Sequence, residues 1–115
     1  MNLIDEEAIK KLAESHLFGQ LTHLFLDFNN LGDEGVKALM ESSQWNQLSH
    51  LFLMHTGITE KGAIAIANSA NARSLTHLRL SANSIEMDGI EALNESPHLE
   101  KIVSLGLRST SPHLH

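Results

Sequence analysis

The sequence has little of what many small folds are built on. It contains no cysteine, no tyrosine and one tryptophan, and only 4% of its residues are aromatic. Without cysteine there is neither a disulfide framework nor thiolate chemistry. The small aromatic share favours a core of many repeated aliphatic contacts over a core built around large rings. No apolar run approaches the roughly 18 residues that a membrane-spanning helix needs.

Positive charge is also scarce. Lys and Arg number 8 against 14 Asp and Glu, which gives a net charge of −6. A surface for nucleic acid or for an anionic membrane would need the opposite balance, so neither partner is expected. Residues 1–15 carry acids and lysines where a secretory signal would be apolar, and the cytoplasm is therefore the expected location. The length of 115 residues fits one domain.

What the chain does have is a repeat with a period of 27 residues. Residues 75–85 read L-x-x-L-x-L-x-x-N-x-I, and the same aliphatic pattern starts at 21, 48 and 102. A constant period in this range is typical of stacked repeats. The pattern divides a single domain, 1–115, into a half-repeat (1–20), three complete repeats (21–47, 48–74 and 75–101) and a terminal strand segment (102–115).

Each repeat is predicted to form one strand, one turn and one helix. The pattern predicts strands at 22–26, 49–53, 76–80 and 103–107, and helices at about 5–16, behind Asp33, behind Thr59 and at about 88–95. Asp33 and Thr59 are the predicted N-caps. Because one strand and one helix cannot bury their apolar faces alone, the units must stack. We therefore predict an α/β solenoid with a parallel sheet on one side and helices on the other.

Two further positions predict how the units fit together. Asn29 and Asn83 stand at position nine of the motif, where an amide can bond backbone groups of neighbouring turns. Thr56 replaces asparagine in the second repeat, and a hydroxyl can make only part of these bonds. A glycine also recurs where each helix begins, either to allow close backbone approach or to ease the turn. These glycines are Gly35, Gly62 and Gly89.

The first complete repeat carries a family resemblance. Its motif residues are Leu21, Leu24, Leu26, Asn29 and Leu31, followed by Gly32-Asp33-Glu34-Gly35. They resemble the leucine-rich repeat family, and within it the ribonuclease-inhibitor-like class, although 27 residues is a short period for that class. The resemblance covers nearly the whole chain. It implies a curved solenoid that binds protein partners on its concave sheet, and it implies no cofactor and no catalysis.

Function is expected on the open face of the sheet. Residues at positions three, five and seven alternate away from the buried leucines, and position eight follows at the rim. We expect the partner-binding residues there: His23, Phe25, Asp27 and Phe28; His50, Phe52, Met54 and His55; His77, Arg79 and Ser81; and Arg108.

Within this set, Phe25, Phe52 and Met54 form a predicted apolar patch. Contiguous exposed apolar side chains often mark a partner site. The alternative is that these side chains only cover each other, since adjacent strands lie about 4.8 Å apart.

His23, His50 and His77 form a predicted column at position three. Three imidazoles in a straight line do not surround a tetrahedral zinc ion, so we expect a stacked ladder and no metal site. Because neighbouring imidazolium charges repel, the ladder predicts lowered histidine pKa values. Stability is then expected to fall as the pH drops through about 6.5.

No arrangement of catalytic residues emerges. The sequence has no recognisable nucleophile elbow, triad or phosphate loop, and its paired acids stand at helix starts, so no enzyme is expected. We predict a protein-binding module, and the alternative is an architectural segment of a larger solenoid. The chain begins with a helix that lacks its strand and ends with a strand that lacks its helix. Three explanations remain open: a piece of a longer array, a homodimer formed through the terminal repeat, or ends covered by short tails.

Overall fold

A computed structural model describes residues 4–107 and shows four parallel strands backed by four α-helices. The strands are β1 (His23–Phe25), β2 (His50–Phe52), β3 (His77–Arg79) and β4 (Ser104–Gly106), in the sheet order β1-β2-β3-β4. The α-helices are α1 (Glu6–Glu14), α2 (Gly32–Met40), α3 (Glu60–Ala67) and α4 (Met87–Glu95), with short 3-10 helices at His16–Gln20 and Ala70–Ser74. Each helix packs on the next along the chain. The predicted α/β repeat solenoid is confirmed.

The strands are shorter than predicted, three residues each instead of five. Backbone hydrogen bonds nevertheless continue beyond them. Leu26 N–H donates to the Phe52 carbonyl at 2.9 Å, and Leu53 N–H donates to the Arg79 carbonyl at 2.8 Å. The register pairs each residue with the one 27 positions later, as the period requires. The sheet therefore holds equivalent side chains of the repeats in straight columns.

The motif leucines fill the space between the sheet and the helices. In the second and third repeats, Leu48, Leu51, Leu75 and Leu78 are at most 1% exposed. The corresponding residues of the outer strands have only one neighbouring strand and stay half-buried; they are Leu21, Leu24, Ile102 and Leu105. On the helix side, the apolar residues Val36, Leu39, Met40, Ile66, Ala67 and Leu93 are buried, whereas Ile64 and Ile90 are half-buried.

Asparagine at position nine joins neighbouring turns, as predicted. The Asn83 side-chain oxygen accepts from Thr56 N–H at 2.9 Å and from Ile58 N–H at 3.1 Å, while its nitrogen donates to the Leu53 carbonyl at 2.8 Å. The Asn29 oxygen accepts from the N–H of Ile4. The Thr56 hydroxyl makes a single bond, to the Leu53 carbonyl at 2.8 Å, and Asn83 of the next repeat completes this turn.

The prediction that Asp33 caps its own helix is wrong. Helix α2 begins at Gly32 behind Leu31, and no side chain caps it. The Asp33 carboxylate instead accepts from the Thr59 hydroxyl at 2.6 Å, from Thr59 N–H at 2.8 Å and from Gly62 N–H at 2.9 Å. Thr59 itself caps α3 through Lys61 N–H, as predicted. Asp33 therefore lies one residue inside α2, where it reaches the helix start of the following repeat.

The three recurring glycines stand where adjacent repeats come closest. A Cβ atom at Gly89 would lie 3.0 Å from Glu60 Cα and 2.7 Å from Ile85 Cγ2, and one at Gly62 would lie 2.6 Å from an Asp33 oxygen. At Gly35 the nearest atom would be Ile9 Cγ2, at 3.1 Å. None of the three has a positive φ. Close packing between repeats therefore explains them better than the alternative of an eased turn.

Candidate partner-binding face

The sheet brings the predicted site residues of its first three strands onto the face that the helices leave uncovered. The register aligns His23 with His50 and His77, and Phe25 with Phe52 and Arg79. Asp27, Met54 and Ser81 follow the strands and are half-buried, whereas Phe28 and His55 are exposed at the rim. Arg108 lies outside the described residues. Ser104 and Gly106 supply the open-face positions of β4.

The histidine column forms a stacked ladder, as predicted. The ring centroids of His23 and His50 are 3.9 Å apart with an interplanar angle of 12°, and those of His50 and His77 are 4.1 Å apart with an angle of 8°. These ring distances are shorter than the roughly 4.8 Å between neighbouring strands, so the imidazoles lean toward one another into contact. The ladder is therefore a direct product of the 27-residue register.

A hydroxyl at position two holds each imidazole in place. The Nδ1 atoms of His23, His50 and His77 lie 2.9, 2.8 and 2.9 Å from the hydroxyl oxygens of the preceding residues, which are Thr22, Ser49 and Thr76. The hydroxyls of Ser49 and Thr76 also donate to main-chain carbonyls of the preceding strand. A hydroxyl has one proton, and here it is donated to a carbonyl. The hydroxyl oxygen can then only accept a hydrogen bond from the imidazole, so the ring proton is on Nδ1. Nε2 of His50 and His77 is then the acceptor.

The ladder lowers the pKa of its central residue. Partial burial of His50 disfavours its charged form, and the imidazoles of His23 and His77 add repulsion from both sides. The prediction of a lowered pKa is confirmed for His50, with burial as the larger cause and repulsion as the second.

Metal-binding side chains do not converge on this face. Within residues 4–107, no group of three or more His, Cys, Asp or Glu side chains is arranged to hold a metal ion. The imidazoles of the ladder lie face to face, so their nitrogen atoms do not point at a common centre.

The phenylalanine column is a second stack, two residues further along the strands. The rings of Phe25 and Phe52 are 4.6 Å apart at an interplanar angle of 29°. On β3, the Arg79 guanidinium carbon lies 4.3 Å from the centroid of the Phe52 ring, a cation–π contact. Phe25 remains 59% exposed. Of the predicted apolar patch, Phe25 and Phe52 stack on each other, whereas Met54 is half-buried after β2; the third member of the column is Arg79.

The carboxylate of Asp27, just after β1, contacts Arg79 at the β3 end of this column. Asp27 Oδ2 lies 3.3 Å from Arg79 Nη1, and Oδ1 accepts from Met54 N–H at 2.7 Å. Asp27 and Arg79 are 52 positions apart, so the pair bridges three strands. The Arg79 side chain is thereby held across β2, above Phe52.

The rim residues adopt a backbone conformation that the sequence did not predict. Phe28, His55 and Ala82, all at position eight, have φ values of 66°, 53° and 59°. Left-handed backbone is unfavourable for residues other than glycine, yet it turns the chain from the open face toward the buried asparagine row. It also brings the rings of Phe28 and His55 to 5.6 Å.

Sequence reasoning missed the hydroxyls that hold the imidazoles. The signal was present, because a Ser or Thr precedes each ladder histidine at the same 27-residue period: Thr22-His23, Ser49-His50 and Thr76-His77. The role of Asp27 as the partner of Arg79 was missed as well. No pattern in the sequence indicates that pair, because it depends on the path of a long side chain across the sheet.

The architecture and the face together define a repeat solenoid with an uncovered sheet. The family model described as Leucine Rich repeat matches residues 21–40 and 71–93. These two segments are similar to leucine-rich repeats, and the similarity agrees with the α/β repeat solenoid described above. A comparison with curated proteins found no match. Within residues 4–107, no helix has the length and apolar character needed to cross a membrane.

Proposed function

We propose that the chain is a protein–protein interaction module that binds its partner through the open face of the sheet. The observation that carries this proposal is the phenylalanine column. Phe25 is 59% exposed although its ring is stacked on Phe52, so mutual cover leaves more than half of its surface to solvent. Phenylalanine and arginine are both enriched in protein–protein interfaces relative to the rest of the surface.

The ladder and the column support this proposal because they form a preorganised surface. Stacking, the position-two hydroxyls and the Asp27–Arg79 pair hold these side chains in one arrangement before any partner arrives. Side chains that are already ordered lose less conformational entropy on binding. Apart from Arg108, the residues that the sequence predicted as partner-binding lie on this face or at its rim.

Each complete repeat has an α-helix of eight or nine residues behind its strand. This supports our assignment of the repeats to the ribonuclease-inhibitor-like class, and with it a non-catalytic role. Cytoplasmic location and pairing of two copies through the terminal repeat stay predictions. Sedimentation at increasing protein concentration tests the second, since a monomer at every concentration contradicts it.

The partner proposal is tested by capture with matched variants. Immobilised wild-type chain, the double variant F25S/F52S and the control L17S/M87S are compared for the proteins they retain from a lysate. Leu17 and Met87 are 63% and 49% exposed and belong to the helical side, so the control removes two apolar side chains from another part of the surface. We expect wild type and control to retain a common set that F25S/F52S retains about tenfold less, since two hot-spot residues together exceed 1.4 kcal/mol.

Equal retention by all three proteins, with equal unfolding midpoints, contradicts the proposal. That result supports the architectural alternative, in which the open face has no partner of its own.

A further inference from the structure

Two columns of rings end on β1 within the part of the chain that the structure describes. Their members on this strand are His23 and Phe25, whose rings lie 3.9 and 4.6 Å from those of His50 and Phe52 on β2. Within residues 4–107, no strand pairs with the outer side of β1. The Phe25 ring stacks on Phe52 and has the His23 ring 5.9 Å away at an angle of 90°, yet the residue remains 59% exposed.

The far end of the phenylalanine column shows what this spacing accepts next to a ring. The Arg79 guanidinium occupies the place that a third ring would take, 4.3 Å from the centroid of Phe52. Its charge is balanced by Asp27. A planar cation therefore fits the column at the interval set by the strands, and one end of the column already holds one.

We propose that the solvent-facing side of Phe25 binds the guanidinium of an arginine in the partner protein. The column then has a cation at both ends, with the two rings between them. This inference rests on the proposed function, because it names the chemistry of the partner that the open face receives.

Charge favours a cation over another ring at this place. The chain has a net charge of −6, which attracts a basic segment and raises its local concentration. The positive charge of Arg79 is already neutralised by Asp27 and does not oppose an incoming cation. A guanidinium is preferred to an ammonium because it is planar, is less strongly hydrated and stacks on aromatic faces.

Short peptides test the proposal directly. Acetyl-Gly-Xaa-Gly-amide peptides with arginine, citrulline, lysine or phenylalanine at Xaa are titrated to millimolar concentration, and the Phe25 ring protons are followed by NMR. We expect the arginine peptide to shift these protons and to bind about two- to fivefold more tightly than the citrulline peptide, which has the same shape without the charge. Added salt should weaken the arginine effect.

Two variants locate the site. F25L keeps an apolar side chain at an exposed position and, followed by the backbone amide signals of β1 in place of the ring protons, should bind the arginine peptide about two- to fivefold more weakly than wild type. F28L removes the neighbouring exposed ring and should leave this affinity unchanged. Citrulline or phenylalanine binding as well as arginine, no shift at millimolar peptide, or equal losses in F25L and F28L would overturn the proposal.

These outcomes are separable from those of the capture experiment. If capture depends on Phe25 and Phe52 while the peptides show no preference for arginine, the interaction module stands and the guanidinium site is wrong. If the arginine peptide binds at Phe25 while capture is unaffected by F25S/F52S, the guanidinium site exists and the proposed partner binding by this face is wrong.

Discussion

Two polar rows cross the sheet in the same direction, and they do different things. The row at position nine, Asn29, Thr56 and Asn83, is buried and bonds to backbone groups of adjacent turns. The row at position three, His23, His50 and His77, stays in contact with water and is held by stacking and by neighbouring hydroxyls. Both arise from one repeated sequence. Two side chains six positions apart in the same motif therefore have different roles: the one at position nine stabilises the fold, and the one at position three shapes its surface.

The largest effect is expected in the buried row. Asn83→Ala leaves the N–H groups of Thr56 and Ile58 without their acceptor and removes one donor from the Leu53 carbonyl. Because each buried polar group left unsatisfied costs about 1–3 kcal/mol, we expect a loss of about 3 kcal/mol in the free energy of unfolding. Urea denaturation measures it. Asn94→Ala, at an exposed position of α4, is the control and should change stability by less than about 0.5 kcal/mol.

A smaller effect of opposite sign, a gain in stability, is expected at position eight, where the chain passes between the two rows. Ala82 has a φ of 59°. Glycine adopts this conformation without the cost of about 1–2 kcal/mol that other residues incur, although it also gains freedom in the unfolded chain. We therefore expect Ala82→Gly to stabilise the protein by up to about 1 kcal/mol.

Ala92→Gly, inside helix α4, is the matched control for this prediction. The same exchange in a right-handed helix should destabilise by about 0.5–1 kcal/mol. If both variants lose stability in urea, the assigned role of the left-handed backbone at position eight is wrong.

The Asp27–Arg79 ion pair on the open face should contribute less to stability than the buried asparagine row. Arg79 is 40% and Asp27 21% exposed at the side chain. A double-mutant cycle with D27N, which keeps an oxygen for Met54 N–H, and R79Q should give a coupling energy of about 0.2–1 kcal/mol. The coupling should decrease in 0.5 M NaCl, because salt screens exposed charges. A coupling of zero at low salt would show that the guanidinium is held over Phe52 by stacking alone.

Acidification tests the histidine row, for which we expect the smallest change because water screens these side chains. The pKa of His50 is lowered in the folded state. At pH values below about 6.5, the ordinary pKa of histidine, the unfolded chain therefore binds more protons than the folded chain. This stability is present above pH 6.5 and is lost as the pH falls through the lowered pKa. Thermal unfolding at pH 7.5 and 5.5 should show the loss.

The variant H23Q/H50Q/H77Q separates the ladder from the other groups that titrate in this range. It should lose less stability than wild type between the two pH values, while H16Q, at an exposed histidine outside the ladder, should behave as wild type. A loss in the triple variant that is no smaller than in wild type contradicts the role of the ladder.

The sequence predicted those parts of the structure that follow from the period. Once 27 residues is recognised as the repeat, the parallel sheet, the buried leucines, the asparagine bonds and the alignment of His23, His50 and His77 are consequences of stacking. The alternation of side chains along each strand then assigns the open face. These features depend on positions in a repeat and not on individual side-chain conformations.

The features that the sequence did not predict depend on the reach of single side chains. Asp33 is a residue type and stands at a position that favour an N-cap, yet its carboxylate accepts hydrogen bonds from Thr59 and Gly62 of the next repeat. Left-handed backbone at Phe28 and His55 contradicts local preference and is imposed by the stacked turns. The position of Arg79 above Phe52 requires knowing where a flexible side chain finds a carboxylate.

The carboxylate of Asp33 has a consequence for how the chain acquires its structure. It secures the start of α3 from the preceding unit, while Asn83 secures the turn at Thr56 from the following one. Since each repeat forms hydrogen bonds with the repeats on both sides, no repeat has all its hydrogen bonds when it stands alone. Folding and unfolding are therefore expected to proceed as one cooperative transition, with a single midpoint whether followed by far-ultraviolet circular dichroism or by the fluorescence of Trp45.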